Sequence, residues 1–392
     1  MEARYTIRKH QLLDECQVAP EIFEQVIPRL YTFMEPFVNI FQGQVAKQHA
    51  KTYVCGLLSN VERKNVASIA YRFGQARLPL QAFIGWDAWD DEPLRSELRR
   101  QVKTHLGQGE GVLVFDPSGF AQSGHESVGV ARQWGGRLGK VDNCHVAMYL
   151  GYVSRKGHPL VAQRLFLPKA WIKDKARLDK AGVPKASRAY RTRHQLALEM
   201  LAQNGVSLPH GWLAGDDERG RPDWLRRRLA ALGERSLLAV PSNTARRDLA
   251  TESPAYSGRG RRPRRPWANV EIWSQALGDE AWQRIDGRDG SKGPLVVEAV
   301  KRRVVSRTHR RPQGDEETLV VRRYRDRDQQ EVVKGDYYLS NAAPETPRWE
   351  CARVANAAHR IAECLHRSKS EPGLADYEVR NWTGWQHQQT LS

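Results

Sequence analysis

The chain has no uninterrupted apolar run near the roughly 20 residues that a membrane helix needs, and its opening, MEARYTIRKH, contains no apolar leader. Neither a membrane span nor export is therefore expected. Its five cysteines, Cys16, Cys55, Cys144, Cys351 and Cys364, are widely spaced and form no C-x-x-C. That argues against a zinc ribbon or a disulfide framework and for reduced thiols in a cytoplasmic protein. No histidine pattern has metal-ligand spacing on one helix face. Acid is also scarce: 45 Asp+Glu face 62 Lys+Arg, a net charge of +17. An excess of this sign favours a polyanionic partner, because bound phosphates release condensed counterions. At 392 residues the chain exceeds one ordinary core, so two or three structural units are expected.

Residues 1–105 have helical spacing, as in Phe23, Val26, Ile27, Leu30 and Phe33. A helix pair with a polar turn at Glu62–Asn65 follows, and GWDAWDDEP forms an acidic connector. From Gly111 the period changes. GVLVFDPSGF reads as a buried strand ending at an acid and a Pro-Ser-Gly turn. NCHVAMYLGYVS and HPLVAQRLFLP complete a three-stranded meander. A helix over 187–204, a strand ending in acids at SLPHGWLAGDD, a helix closed by Gly233 and a strand at SLLAVPSNT give a mixed α/β sheet. PLVVEAVKRRVV, ETLVVRRYRD and GDYYLSN then read as strands of a β-rich, basic insertion, preceded by a segment at 251–266 with no apolar period that is expected to be flexible until bound. A helix is expected over 350–370.

Asp116 and Asp216 each follow a short apolar strand. Acids at strand ends are a rigid way to hold a hard divalent cation for phosphoryl chemistry, although such aspartates are more often turn residues. The surrounding residues are more specific. Asp116 is followed by Ser118-Gly119, then by Ser127 to Gln133 (SVGVARQ), Leu138 to Val141 (LGKV) and Asn143-Cys144. GDDERGRPDWLRRRLAALGERSLLAVPSNT, CARVANAAHRIAECLHRSKSEPGLADYEVRNWTGWQHQQTLS and GLLSNVERKN complete the set. Over most of its length the chain resembles insertion-sequence DDE transposases, which are RNase H-like DDE superfamily endonucleases.

The resemblance implies an RNase H-like mixed sheet flanked by helices, a helical DNA-binding region at 1–105, a catalytic core at 106–245 and 346–392, and a β-rich insertion at 246–345. It also implies Asp116 and Asp216 as metal ligands, Mg²⁺ or Mn²⁺ as cofactor, and double-stranded DNA as partner: the terminal inverted repeats, bound by a homodimer, and the target. The setting implied is the cytoplasm, at the bacterial nucleoid. The family has Ile-Glu-Glu-Cys in the last segment, with a lysine seven residues after the first glutamate. This chain has Ile361-Ala362-Glu363-Cys364 and Lys369, so the third acid falls on Ala362. On a helix with Val354, Ala358, Ile361 and Leu365 buried, Ala362 lies about 70° from the centre of that face, Lys369 within about 20° of Ala362, and Glu363 about 170° from the centre. Glu363 is thus a poor replacement acid, more simply a solvated residue. The alanine fits either a deliberate block on cleavage or a decaying copy, and an element with this ending is expected to continue beyond Ser392 into further apolar helix.

Phosphate contacts are expected from Lys369, from Arg226, Arg227 and Arg228, and from the loop Arg259, Arg261, Arg262, Arg264 and Arg265. Trp382 and Trp385 suit base stacking or, slightly better, packing against the last helix. His359 and His366 read as surface or DNA-facing. A non-catalytic DNA-binding regulator of transposase descent is the alternative. An RNA-processing nuclease is disfavoured by the specificity of the matched segments.

Overall fold

A computed structural model describes residues 25–135, 139–260, 262–290, 293–306, 314–326 and 332–392. Among the described residues five helices come first: α1 (Val26–Val38), α2 (Gln44–Leu57), α3 (Val66–Arg72), α4 (Arg77–Gly85) and α5 (Glu92–Leu106). They close on Tyr53, Leu57, Ile69, Leu80, Phe83 and Ile84. Phe23 and Cys16 lie outside the described residues. The polar turn between α2 and α3 is held locally: Asn65 caps α3 by accepting from the Ser68 amide at 2.8 Å. Lys64 is buried and donates to the Leu57 carbonyl at 2.8 Å.

The sheet follows: β1 (Val112–Ala121), β2 (Ala131–Gly135), β3 (Lys140–Val153) and β4 (Leu160–Leu165). After the short α6 (Lys169–Lys173) and α7 (Lys175–Lys180) come α8 (Arg193–Asn204), β5 (Trp212–Gly215), α9 (Asp217–Gly220), α10 (Asp223–Ala231) and β6 (Ser236–Ala239). Thr192 and Gln195 form a capping box that starts α8 at Arg193, later than the helix expected from 187. Gly233, at φ 77°, follows the end of α10. In the sheet, β4, β3 and β1 are antiparallel neighbours, and β5 and β6 add parallel to β1. This is an RNase H-like α/β arrangement.

Between β6 and the last long helix lie β7 (Ala245–Asp248), β8 (Ala268–Asn269), α11 (Val270–Gln275), β9 (Gln283–Gly290), β10 (Gly293–Ser306), β11 (Glu316–Asp326) and β12 (Val332–Ser340). They extend the same sheet, because Tyr338 to Ser340 of β12 pair antiparallel with β6. Residues 251–260 and 262–267 carry neither helix nor strand. The chain ends with α12 (Arg348–Ser370) and α13 (Trp382–Leu391). No helix among the described residues is long and apolar enough to cross a membrane.

Strand alternation sorts the side chains into two layers. Val112, Val114, Ala147, Tyr149, Trp212 and Ala214 meet Val354, Ile361 and Leu365 of α12. Leu113, Phe115, Met148, Leu150 and Leu213 meet Val102 of α5, Leu196 and Met200 of α8, and Leu225 and Leu229 of α10. α13 joins the helical region to the sheet. Gln388 and Gln389 accept from the hydroxyls of Tyr53 and Tyr149, and His387 stacks on Trp89 at 3.5 Å.

One strand differs from expectation. β1 does not turn at Asp116-Pro117-Ser118-Gly119; it continues to Ala121 and stays paired with β3 throughout. Proline is tolerated because β5 has already stopped, so Pro117 lies where only one edge of β1 is paired. The short β2 was not anticipated, since ARQWG carries little apolar alternation.

Gly220 lets α9 lie against β6: a Cβ there would come within 1.8 Å of the Ala239 carbonyl oxygen. Gly220→Ala should therefore destabilise the fold by about 1–3 kcal/mol or more. Gly109→Ala, which meets open space, should change stability by less than about 0.5 kcal/mol. Urea denaturation of the two variants checks this. Equal midpoints would show that α9 and β6 are not packed this tightly.

Candidate active site

Phe115 of β1 is in register with Gly215 of β5. The next residues, Asp116 within β1 and Asp216 just past β5, therefore lie at the same level of adjacent parallel strands, about 4.8 Å apart in backbone spacing. They continue the faces of Val114 and Ala214, so both carboxylates stand in the layer covered by α12. β5 ends there because Asp216 becomes the N-cap of α9 and accepts from the Arg219 amide at 3.1 Å. The Arg219 side chain is fully buried; it lies 3.4 Å from the Asp216 carboxylate and 2.9 Å from that of Glu218.

The two acids are hard to ionise together. Burial, and then the negative charge of Asp216, push Asp116 up to about 7, against the pull of Arg219 and Lys369. Burial pushes Asp216 up to about 6; Arg219 opposes this while Glu218 and Asp217 add to it. Asp216 still has 36% of its side chain exposed, so the pair opens to solvent.

α12 brings the third element. Gly151 of β3 has no side chain where Ile361 sits: a Cβ there would be 2.4 Å from Ile361 Cδ1. The helix therefore lies close on the sheet. Two turns beyond Ile361, Lys369 donates to the Gly119 carbonyl, with its ammonium 4.2 Å from the centre of the Phe120 ring. Its charge reaches Asp116. Ala362 is exposed, on the Lys369 side of α12. Glu363 is exposed elsewhere, in a groove with Lys64, Arg155, Lys156, Arg360 and Arg367.

Asp116 and Asp216 form an oxygen-only donor set suited to a hard divalent cation, which would relieve the repulsion between them. The described residues contain no cluster of three or more His, Cys, Asp or Glu side chains able to hold a metal ion.

The arginines expected to meet phosphate divide into two groups. Arg226 is buried and engaged within the fold. It donates to Glu317 at 2.6 and 3.0 Å and to Ser306 at 2.9 Å, tying α10 to β10 and β11. Nothing in its sequence neighbourhood shows this, because Glu317 lies 91 positions away. Arg227 is half-buried and pairs with Asp223 at 2.9 Å, while Arg228 is exposed. Arg259, Arg262 and Arg264 are exposed, and Arg265 is half-buried and donates to the Thr251 carbonyl. Arg261 lies outside the described residues. Trp385 is fully buried, and Trp382 packs against the same core, so packing accounts for both. His359 and His366 are exposed. Two of the matched segments meet: the Lys64 amide donates to Asp376 at 3.0 Å, and Arg63 pairs with Glu378 at 2.9 Å.

A protein-family model described as DDE superfamily endonuclease matches residues 36–294. No curated protein matches the chain.

The raised carboxyls predict a pH dependence. In the unfolded chain an aspartate titrates near 3.9, so the folded protein holds these protons more tightly. The resulting stability is complete below about pH 4 and is lost as pH rises through about 6 to 7. In metal-free buffer, Asp116→Asn should gain in urea midpoint relative to the parent as pH goes from about 5 to 8. A difference constant with pH would mean that Asp116 is not strained by ionisation.

Proposed function

This chain belongs to the DDE superfamily endonucleases, and we propose that it is a DNA transposase whose third acidic position is vacated by Ala362. It would bind terminal inverted repeats as a dimer, act on nucleoid DNA in the cytoplasm, cut the element ends and join 3′-hydroxyls to target DNA. The observation that carries this proposal is Asp116 within β1 beside Asp216 just past the end of β5, under the α12 side that bears Lys369. We take 1–105 as a DNA-binding region and 246–345 as an insertion in the core.

Asp116 and Asp216 would hold Mg²⁺ or Mn²⁺, which supplies a polarised nucleophile and stabilises the leaving oxygen during in-line displacement at phosphorus. Lys369, whose charge acts on Asp116, would neutralise a phosphate oxygen. Arg219 is fully buried, so it steadies Asp216 from behind and does not touch DNA. Glu363 takes no part. Of the arginines singled out in the sequence, Arg228, Arg259, Arg262 and Arg264, with Arg261, would track the DNA backbone. The second reading, a DNA-binding regulator without cleavage activity, is favoured by Ala362 itself, since two carboxylates hold a metal pair poorly.

Cleavage of a labelled terminal-repeat duplex with Mg²⁺ or Mn²⁺ distinguishes these. Ala362→Glu should raise cutting on the order of 100-fold or more, the scale of several kcal/mol of transition-state stabilisation. Glu363→Ala should change little. Robust cutting by the parent that disappears in Glu363→Ala would make Glu363 the working acid and sink this assignment.

Binding has a separate test. Replacing the arginines from Arg259 to Arg265 with alanine should flatten the slope of log affinity against log salt, by up to about 0.9 for each phosphate no longer neutralised. An unchanged slope would mean that the phosphates are held elsewhere on the protein.

A further inference from the structure

With Trp382 and Trp385 buried in the core, the structure offers a different aromatic at the rim of the site. Trp134 of β2 is 51% exposed, and its cross-strand partner on β3, Val141, is also 51% exposed. Cross-strand partners stand about 4.5–5.5 Å apart at Cβ, so the valine flanks the indole and the two form one small apolar surface. Arg132, two residues earlier on the same side of β2, is exposed. Lys140, beside Val141, is 66% exposed and pairs with Asp142 at 2.9 Å.

This surface lies along β1 from Asp116, on the order of 10 Å or more away. Gly135, which follows Trp134, packs on Gly119: a Cβ on Gly119 would meet the Gly135 Cα at 3.4 Å. Gly119 is the residue whose carbonyl takes the Lys369 ammonium. Asp116 lies three residues back along β1, roughly 10 Å by strand rise. A strand held at the carboxylates would pass Trp134 within a few nucleotides. The other exposed tryptophans are placed differently. Trp86 sits between α4 and α5, Trp224 stands edge-on to His194 at 5.7 Å, and Trp349 is at the far end of α12, about 30 Å along the helix from Lys369.

We propose that Trp134, flanked by Val141, is a stacking platform for an unpaired base of the DNA strand held at Asp116 and Asp216. Any base presents a π-face, so the platform needs no particular sequence, and Arg132 is placed for a flanking phosphate. A nucleic acid fits better than a second copy of this chain. The copy would bring another +17 of charge against Arg132, Lys140 and Lys369, whereas a phosphate strand brings the opposite sign. The proposal rests on the DNA reading above, and its test needs no cleavage.

The probes are a 20-base-pair duplex with a three-nucleotide 3′ overhang carrying 2-aminopurine, and the same duplex blunt-ended. The parent should prefer the overhang by about 5-fold or more, the scale of one stacked base, and quench its fluorescence. Trp134→Ala should lose both the preference and the quenching, keep its affinity for the blunt duplex, and keep the parent's salt slope. Trp134→Phe should retain most of both, and Val141→Ser should weaken them. If Trp134→Ala keeps the overhang preference, the platform is refuted. If it changes the sedimentation of DNA-free protein from dimer to monomer, the surface is a contact between copies and the proposal also falls. If the parent binds neither duplex, the DNA reading fails together with it.

Discussion

β5 ends at Gly215 while β1, paired with it up to Phe115, continues for six more residues. This mismatch in length is what the site depends on. It leaves one edge of β1 open and sets Asp116 and Asp216 side by side at the opening. The same end of β5 becomes the start of α9, so one aspartate serves as both strand terminus and helix cap. The opening is roofed because Gly151 allows Ile361 to approach the sheet, which carries Lys369 to the Gly119 carbonyl. A side chain at position 151 would lift α12 and separate the lysine from the acids.

The basic charge serves two purposes. Part of it holds the extended sheet together. Arg226 joins Glu317 and Ser306, Arg322 joins Asp336 and Asn356 of α12, and Arg323 and Arg325 share Glu298 and Asp279. The Arg226–Glu317 pair is buried, so breaking it is strongly destabilising, because the remaining charge has no water to return to. Other arginines stay in solvent along the length of the chain, among them Arg63, Arg132, Arg228, Arg259, Arg262 and Arg264.

Glu363 shows how far a one-residue step on a helix moves a side chain. It follows Ala362 directly, but a step of about 100° takes it from the Lys369 side into a groove shared with Arg155, Lys156, Arg360 and Arg367. The carboxylate is adjacent to Ala362 in sequence and on a different side of the helix from Lys369.

Local pattern determined much of this protein. Apolar period marked β3 to β6, the three long strands of the segment before α12, and α12 itself, because each element's buried face is written in its own residues. The long matched segments pointed to Asp116 and Asp216, and helix geometry separated Ala362 from Glu363. What local pattern could not show depended on residues far apart in the chain. β1 runs through Pro117 because its far edge is empty, and that emptiness is decided by where β5 stops. Arg226 is internal because Glu317 arrives from another strand. Trp385 is buried because the sheet core closes over it, and Trp134 is exposed where, among the described residues, β2 pairs with β3 alone. Burial of a charge or a ring is a property of what packs against it, and only the tertiary structure brings those partners together.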